Sequence, residues 1–367
     1  MKNIIVAIDI GTSHIAGVMG SKCEDGTFSI SAYGTENCTS CIRRGNIFNL
    51  EETATRIIDL IENLESQLHG CVIDKIYIGT GGQSLRLVNN LITYRESVFS
   101  SIEKCVRDIV RKDIAGIIVS SQALADATLS DREKESGCAL VDIGAGVTNV
   151  SVYSKGELSH MSVIPLGSNN ITQDLISLNL TRTEAESLKI EYGCSIANED
   201  GDVDNIKVIT DGLTRVVNIK ELKSVVRARA MEIIENIFVR INETTKLKSL
   251  AGGIIVTGCG AKLKGFQSLI RNRCNVRVRN AAFRSGLMHS SCKIINDPVY
   301  INAISVMLKG IEQCVTLSIP EEDPVIEVIT PEITILPNPG VEKKIVRIAK
   351  KVKQAIEIIV RDATTEK

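Results

Sequence analysis

The chain has no tryptophan, and only 3% of its 367 residues are aromatic, so its core must be filled by Ile, Val, Leu and Ala. A formal net charge of -1 removes any global electrostatic argument for nucleic acid as a partner. No segment approaches the roughly 18–20 consecutive apolar residues that a transmembrane helix requires. The opening "IIVAI" runs straight into Asp9 and is too short for a secretory signal. The 11 cysteines are odd in number and scattered, which does not suit a disulfide framework; they read as reduced thiols in a cytosol. The CxxC from Cys38 to Cys41 has no second pair and no neighbouring His, and reads as two unligated thiols in a loop. Proline is rationed too: of 7 in the chain, five fall between Pro320 and Pro339.

What is present is a device built twice. "IIVAIDIGTSH" is an apolar β-type run that stops at Asp9 and enters a glycine turn, and "GCALVDIGAGVTNV" repeats it at Asp142. Each opens a three-strand meander: "NIIVAIDI", "HIAGVMGSK", "FSISAYGTE", and later "CALVDIGAG", "TNVSVYSKG", "LSHMSVIPLG". In the first copy Ile57, Leu60, Ile61, Leu64 and Leu68 have helical spacing. A strand "KIYIGTGG", a helix "SIEKCVRDIVRK", a strand "AGIIVSS" and a helix "QALADATLS" follow. In the second copy a helix starts near Ser168 to Thr172, and Thr183 with Glu186 three residues on predicts a capped helix. A polar stretch around 196–215 precedes the long helix "IKELKSVVRARAMEIIENIFVRINETTKL", the strand "GGIIVTGCGA" and the helix "KLKGFQSLIRN". A repeated meander with helices is two copies of one α/β domain, at 1–135 and 136–318.

Facing turns of this kind suit a phosphate chain held between two lobes. Gly11, Gly144 and Gly146 let backbone N–H groups approach an anion without a Cβ in the way. Thr12, Ser13 and Thr148 add hydroxyl donors. Asp9 and Asp142 repel phosphate directly and instead suit Mg²⁺ or its waters. A third glycine turn, "TGCGA", with Gly258, Gly260 and Ala261, is placed to take a base and sugar.

The words "AIDIGTSHIAGVMG", "CIRRGNIFNLEET", "KIYIGTGGQSLR", "GCALVDIGAGVTNVSVYSKGELSHMSVIPLGSNNITQDL", "EAESLKIEYGCS" and "GGIIVTGCGAKLKGF" occur in an order that resembles the FtsA family of bacterial cell-division proteins, within the actin/Hsp70/sugar-kinase superfamily. The resemblance implies an actin-like two-lobed ATPase fold, a duplicated RNase H-like domain, with ATP and Mg as ligands. "AGIIVSSQALADA" and "PVYINAISVMLKG" resemble the helices that connect the lobes. Gly167, Asn169, Glu186 and Lys189 join the nucleotide site by the same resemblance. It also implies that the C-terminal tail of FtsZ docks on a small subdomain at about 181–250, with Arg229 in a matching basic position, and that copies self-associate.

The departures have consequences. The family's inserted subdomain of about 80 residues is reduced here to about 85–99, too few to build a domain. His14 stands where the family commonly has lysine, Asn149 where it has aspartate, and Gly258–Cys259 where it has paired glycines. These changes imply at most a weak ATPase, any catalytic water being set by Asp142 or Gln122. A pilus-assembly adaptor and a small-molecule kinase of the same superfamily are the competing readings. The kinase lacks an acceptor-pocket insertion, and an Hsp70-type chaperone would need a substrate domain after residue 320.

Residues 319–340 read as an extended linker and 341–362 as an amphipathic helix. Val341, Ile345, Ile348, Ala349, Val352, Ala355, Ile356 and Ile359 fall on one stripe, and Lys350 and Lys351 on the other side. Residues 343–361 hold seven Lys or Arg and one Glu. That is the profile of an anchor on anionic lipid at the inner face of the membrane. Changing Ile345, Val352 and Ile359 to Asp removes apolar burial of about 1.5–3 kcal/mol for each fully buried side chain, and liposome sedimentation is expected to be abolished. Changing Lys350 and Lys351 to Gln costs about 2 kcal/mol, on anionic lipid alone, and added salt imitates it. Undiminished sedimentation of the aspartate variant rules the anchor out.

Overall fold

Each repeat builds a five-stranded sheet, and the two sheets have the same strand order. In the first, Ile4–Ile10, His14–Lys22 and Phe28–Asn37 form an antiparallel meander. Lys75–Thr80 and then Asp113–Val119 add in parallel on the other side of Ile4–Ile10. In the second, Cys138–Ile143, Thr148–Ser154 and Glu157–Ile164 make the meander, with Gly253–Thr257 and Val278–Asn280 in parallel. The registers match as well: Asp9 lies opposite Ala16, and Asp142 opposite Asn149. The duplication read from the sequence is thus present strand for strand.

The computed structural model describes residues 3–317, apart from 84, 89–90, 197–204, 211–212 and 296. The chain divides between Ile319 and Pro320, and both sheets belong to the first unit. The expected linker and amphipathic helix, with Ile345, Ile348, Lys350, Lys351, Val352, Ile356 and Ile359, lie outside the described residues.

Strand Ile4–Ile10 is buried along almost its whole length because it is covered on both faces, as a central strand must be. Helix Leu50–Ser66 covers one face of the first sheet; Asn49 caps it by accepting from the Glu52 N–H, and its stripe Ile57, Leu60, Ile61 and Leu64 is buried. In the second lobe Ile219–Asn242 buries Leu222, Val226, Ala230, Ile233, Ile237 and Ile241, a repeat of three and four residues. Helices Ser120–Thr128 and Ile301–Met307 pack on each other between the lobes, where connecting helices were expected.

Several local expectations are corrected. The cap before Arg182–Tyr192 is Thr181 with Glu184, two residues earlier than Thr183 and Glu186. Part of the polar stretch 196–215 forms a hairpin, Asn205–Thr210 against Leu213–Asn218. The helix expected over 101–112 is α-helical at Glu96–Glu103 and widens to π geometry at Lys104–Val110. In the place of an inserted subdomain stand a hairpin, Arg86–Val88 against Leu91–Thr93, and the start of that helix.

Close packing of helix on sheet sets a sharp test. A Cβ at Gly17 would lie 3.0 Å from Leu60 Cδ2 and from Leu64 Cδ1, both fully buried. Gly17→Val is expected to lower stability by about 1–3 kcal/mol through overpacking, read by chemical denaturation. An unchanged midpoint would show that this helix does not seat there.

Candidate functional site

Both aspartates sit at equivalent strand ends and face one cleft. Its lining includes Asp9, Thr12, Ser13, His14, Asp142 and Gly144, with about 680 Å³ of empty space. Asp9 Oδ1 accepts from Ser120 Oγ at 2.5 Å, and Asp142 Oδ2 accepts from Asn302 Nδ2 at 3.1 Å. Asn149 also donates to Asp142. Ser120 and Asn302 belong to the two connecting helices, so each aspartate is held by a helix that links the lobes. Gly79 makes room for this, because a Cβ there would lie 2.7 Å from Asp9 Oδ1 and 2.8 Å from Ser120 Oγ.

The electrostatics follow from burial. Burial raises the Asp9 carboxyl to about 7, against the Ser120 hydrogen bond and with a further push from the Asp142 charge. Burial also raises Asp142, offset in part by Asn302 and Asn149. Asn149 Oδ1 and Asn302 Oδ1 are buried acceptors without a partner, and both residues line the cleft. Two carboxylates and two unfilled amide oxygens are an all-oxygen set suited to a hard, hydrated divalent cation. Among the described residues no three His, Cys, Asp or Glu side chains converge, so such a cation would keep most of its water.

The two turns touch. A Cβ at Gly146 would lie 2.5 Å from Thr12 Cγ2, so glycine there is what allows the lobes to meet. Thr12 Oγ1 accepts from the Gly45 N–H at 3.1 Å, which leaves its own proton to donate. His14 Nδ1 is 2.9 Å from Ser13 Oγ, and burial lowers its pKa, so position 14 presents a neutral ring. Cys38 Sγ donates to Gly11 O at 3.2 Å and props the first turn from below; burial pushes this thiol up to about 12. Cys38 and Cys41 are both buried free thiols.

A second cavity, sharing Ser13, Ala145 and Cys259 with the first, is lined by Ser168, Asn169, Glu186, Lys189, Gly260 and Lys262 among others. Lys189 Nζ donates to Glu186 Oε2 at 2.7 Å and to Thr172 Oγ1 at 2.9 Å. Gly258 lines the first cavity and has φ +87, its Cα lying against Asp142 and Ile143.

Other expected residues are placed elsewhere. Thr148 is fully buried and spends its hydroxyl on Leu166 O at 2.8 Å, so it offers no donor to the cleft. Gln122 is exposed on its helix and does not line the cleft. Gly167 packs under the second turn against Ala145 O, and Ala261 packs into the second core. Arg229 binds Asp174 through Nε at 2.6 Å and Nη2 at 2.9 Å, so it is an engaged cation. Sequence reasoning missed Gly45, Gly81, Gly82, Ser120, Val299 and Asn302 as lining residues. The glycine pair in "GTGG" and the serines ending "AGIIVSS" were the available signals.

A family model described as Cell division protein FtsA matches residues 139–305. The Cell division protein FtsA of Porphyromonas gingivalis is 26% identical over 385 residues, covering 86% of this chain and 80% of that protein. That of Pseudomonas aeruginosa is 24% identical over 379 residues, covering 84% and 90%. Both alignments are longer than the 367-residue chain, so each relative carries residues that this chain lacks. A chain of the PilM-PilN type IV pilus biogenesis complex superposes with TM-score 0.62 at 14% identity, covering 84% of this chain and 98% of that one. MreB5 of Spiroplasma citri bound to ADP superposes with TM-score 0.59 at 13% identity, covering 83% and 94%. The fold is therefore actin-like and two-lobed, and the resemblance to FtsA holds along most of the chain.

The raised Asp9 carboxyl makes a measurable demand on stability. Its folded pKa of about 7 lies above the ordinary 3.8, so between these values the folded state binds more protons than the unfolded one. This contribution is intact below pH 3.8 and is lost as pH rises towards 7. Asp9 keeps a window onto the cleft, and water there moderates the loss to roughly 1–3 kcal/mol. His14, lowered by burial, titrates in the opposite sense over part of the range, so the comparison must be with a variant. Ligand-free Asp9→Asn is expected to gain on wild type progressively from pH 5 to 8 in thermal unfolding. A constant difference across that range would sink the assignment.

Proposed function

We propose that this chain is an ATP-binding, actin-like cell-division adaptor that ties FtsZ to the inner face of the membrane. The observation that carries the reading is the match of the FtsA model to residues 139–305, the part that holds the second turn and the long helix. The nucleotide's phosphates lie between the turns at Gly11–His14 and Gly144–Gly146, and its base and sugar lie towards Glu186, Lys189 and Gly260. Asp9 and Asp142 hold hydrated Mg²⁺, which lowers the cost of ionising them. An ADP-bound structure of MreB5, a protein of the same fold, supports a nucleotide as the ligand.

In this reading the nucleotide is a switching ligand that closes the lobes. The side chains at the cleft bind and orient it. Asn149 hydrogen-bonds Asp142 as a neutral donor, where a second carboxylate would be free to act as a base. Gln122 does not reach the cleft, which leaves Asp142 as the group to order a water. Turnover is accordingly slow or absent.

The FtsZ tail docks on the second lobe's small subdomain, and the helix at 341–362 supplies the membrane contact. No helix among the described residues is long and apolar enough to cross a membrane. The reduced insertion, a hairpin where a subdomain is expected, alters or weakens any filament contact made through it.

Arg229 is bound bidentately by Asp174 and is also paired with Glu232, so an acidic peptide reaches it by displacing the Asp174 carboxylate. Immobilised FtsZ C-terminal tail peptide is expected to retain the chain in a pull-down. Asp174→Asn, which leaves Arg229 held by Glu232 alone, should strengthen retention several-fold, and Arg229→Ala should weaken it. Retention that ignores both changes removes Arg229 from the contact; no retention of wild type removes FtsZ.

A further inference from the structure

The phosphate cleft is short of positive charge. Its ionisable lining among the described residues is Asp9, Asp142, a His14 held neutral and the Cys259 thiol, raised by burial to about 11, with no lysine or arginine. A triphosphate carries more negative charge than one Mg²⁺ neutralises, so the deep cleft alone does not balance it.

Positive charge stands just outside. Beyond the seam where Thr12 meets Gly146 lies a further, open groove, lined by both of those residues and by Arg43, Arg44 and Arg182. Arg43 stacks over the Phe48 ring at 4.4 Å. The guanidiniums of Arg44 and Arg182 have no hydrogen-bond or ion-pair partner among the described residues. Arg44 comes from the first lobe, in a left-handed conformation at φ 51, next to the Gly45 that bonds Thr12. Arg182 comes from the second lobe as the first residue of helix Arg182–Tyr192. A cation at a helix N-terminus sits at its unfavourable end, and an anion placed there relieves it. Asn169 and Asn170, in the first turn of helix Ser168–Leu175, line the same groove and bring a second helix N-terminus to it.

We infer that Arg44 and Arg182 form a clamp, one arm from each lobe, for the outermost phosphate of the bound nucleotide. This rests on the nucleotide reading above and adds to it the charge that position 14 does not provide. A phosphate chain running between the turns reaches the Thr12–Gly146 seam at its outer end. There a guanidinium from each side offers planar, paired donors to it. The clamp engages ATP and not ADP, because ADP ends before the seam, and it makes the terminal phosphate the link that holds the lobes closed.

The test is isothermal titration of the full-length chain with Mg-ATP, Mg-ADP and AMP. Arg44→Asn keeps a residue that accepts positive φ, and Arg182→Gln removes the other arm; both sites are exposed. Each variant is expected to bind Mg-ATP about tenfold more weakly, and the pair more weakly still, with Mg-ADP and AMP within about twofold of wild type. Equal losses for ATP and ADP, or no loss for either, overturn the clamp while leaving nucleotide binding standing. A wild-type chain that binds none of the three overturns both. Unchanged thermal unfolding of the ligand-free variants separates lost binding from lost folding.

Discussion

Two carboxylates facing one another across a cleft set the terms for the rest of this structure. Asp9 and Asp142 end equivalent central strands, and the sheets present them to each other where water is scarce. Each therefore needs a donor: Ser120 for Asp9, and Asn302 with Asn149 for Asp142. Ser120 opens one connecting helix and Asn302 lies in the first turn of the other, and these helices pack on each other. The charge on the two carboxylates is therefore felt by both connecting helices. Two hydrogen bonds, Ser120 to Asp9 and Asn302 to Asp142, thus join the site directly to the two connecting helices.

What could be read from the sequence was whatever repeated. The apolar run, the aspartate and the glycine turn recur with the same seven-residue offset to the opposite strand, 9 to 16 and 142 to 149, and so they disclosed the duplicated sheet. Local ambiguity was harder. "TRTEAES" holds two overlapping Thr-x-x-Glu boxes, and spacing alone does not choose between them. The fold chooses Thr181 because that start buries Ala185 and Leu188 and lets Glu184 meet Arg215. The hairpin after residue 204 was hidden by its many polar residues, although Asn205–Asn218 alternates as a half-buried pair should.

The site was legible in its chemistry and much less so in its assembly. Thr148 looked like a donor because it follows a glycine turn, yet strand pairing turns its hydroxyl to Leu166. Gly45 and Gly82 lie far apart in sequence, and each is shaped by the other. A Cβ on Gly45 would lie 2.8 Å from the Gly82 Cα, and both residues have positive φ. Such a backbone-to-backbone approach leaves no periodic trace. Glycines that serve a turn and glycines that admit a distant strand look alike until the chain is folded.

His14 and Asn149 belong together in the charge balance of this cleft. A lysine at position 14 would bring a fixed positive charge, whereas the half-buried imidazole of His14 is held neutral. An aspartate at position 149 would bring a further negative charge, whereas Asn149 puts an amide donor on Asp142. Taken separately, either change would unbalance the cleft. A lysine beside a neutral Asn149 would face fewer carboxylates than it needs, and a third carboxylate without the lysine would raise its neighbours further. Set against a lysine and an aspartate together, His14 and Asn149 leave the net charge of the cleft unchanged while lowering the number of buried charges by two. A site with fewer buried charges costs less to close over a ligand, because less hydration is lost. It is also poorer in groups able to take a proton from water. Both consequences suit the proposed role, holding a nucleotide over turning it over.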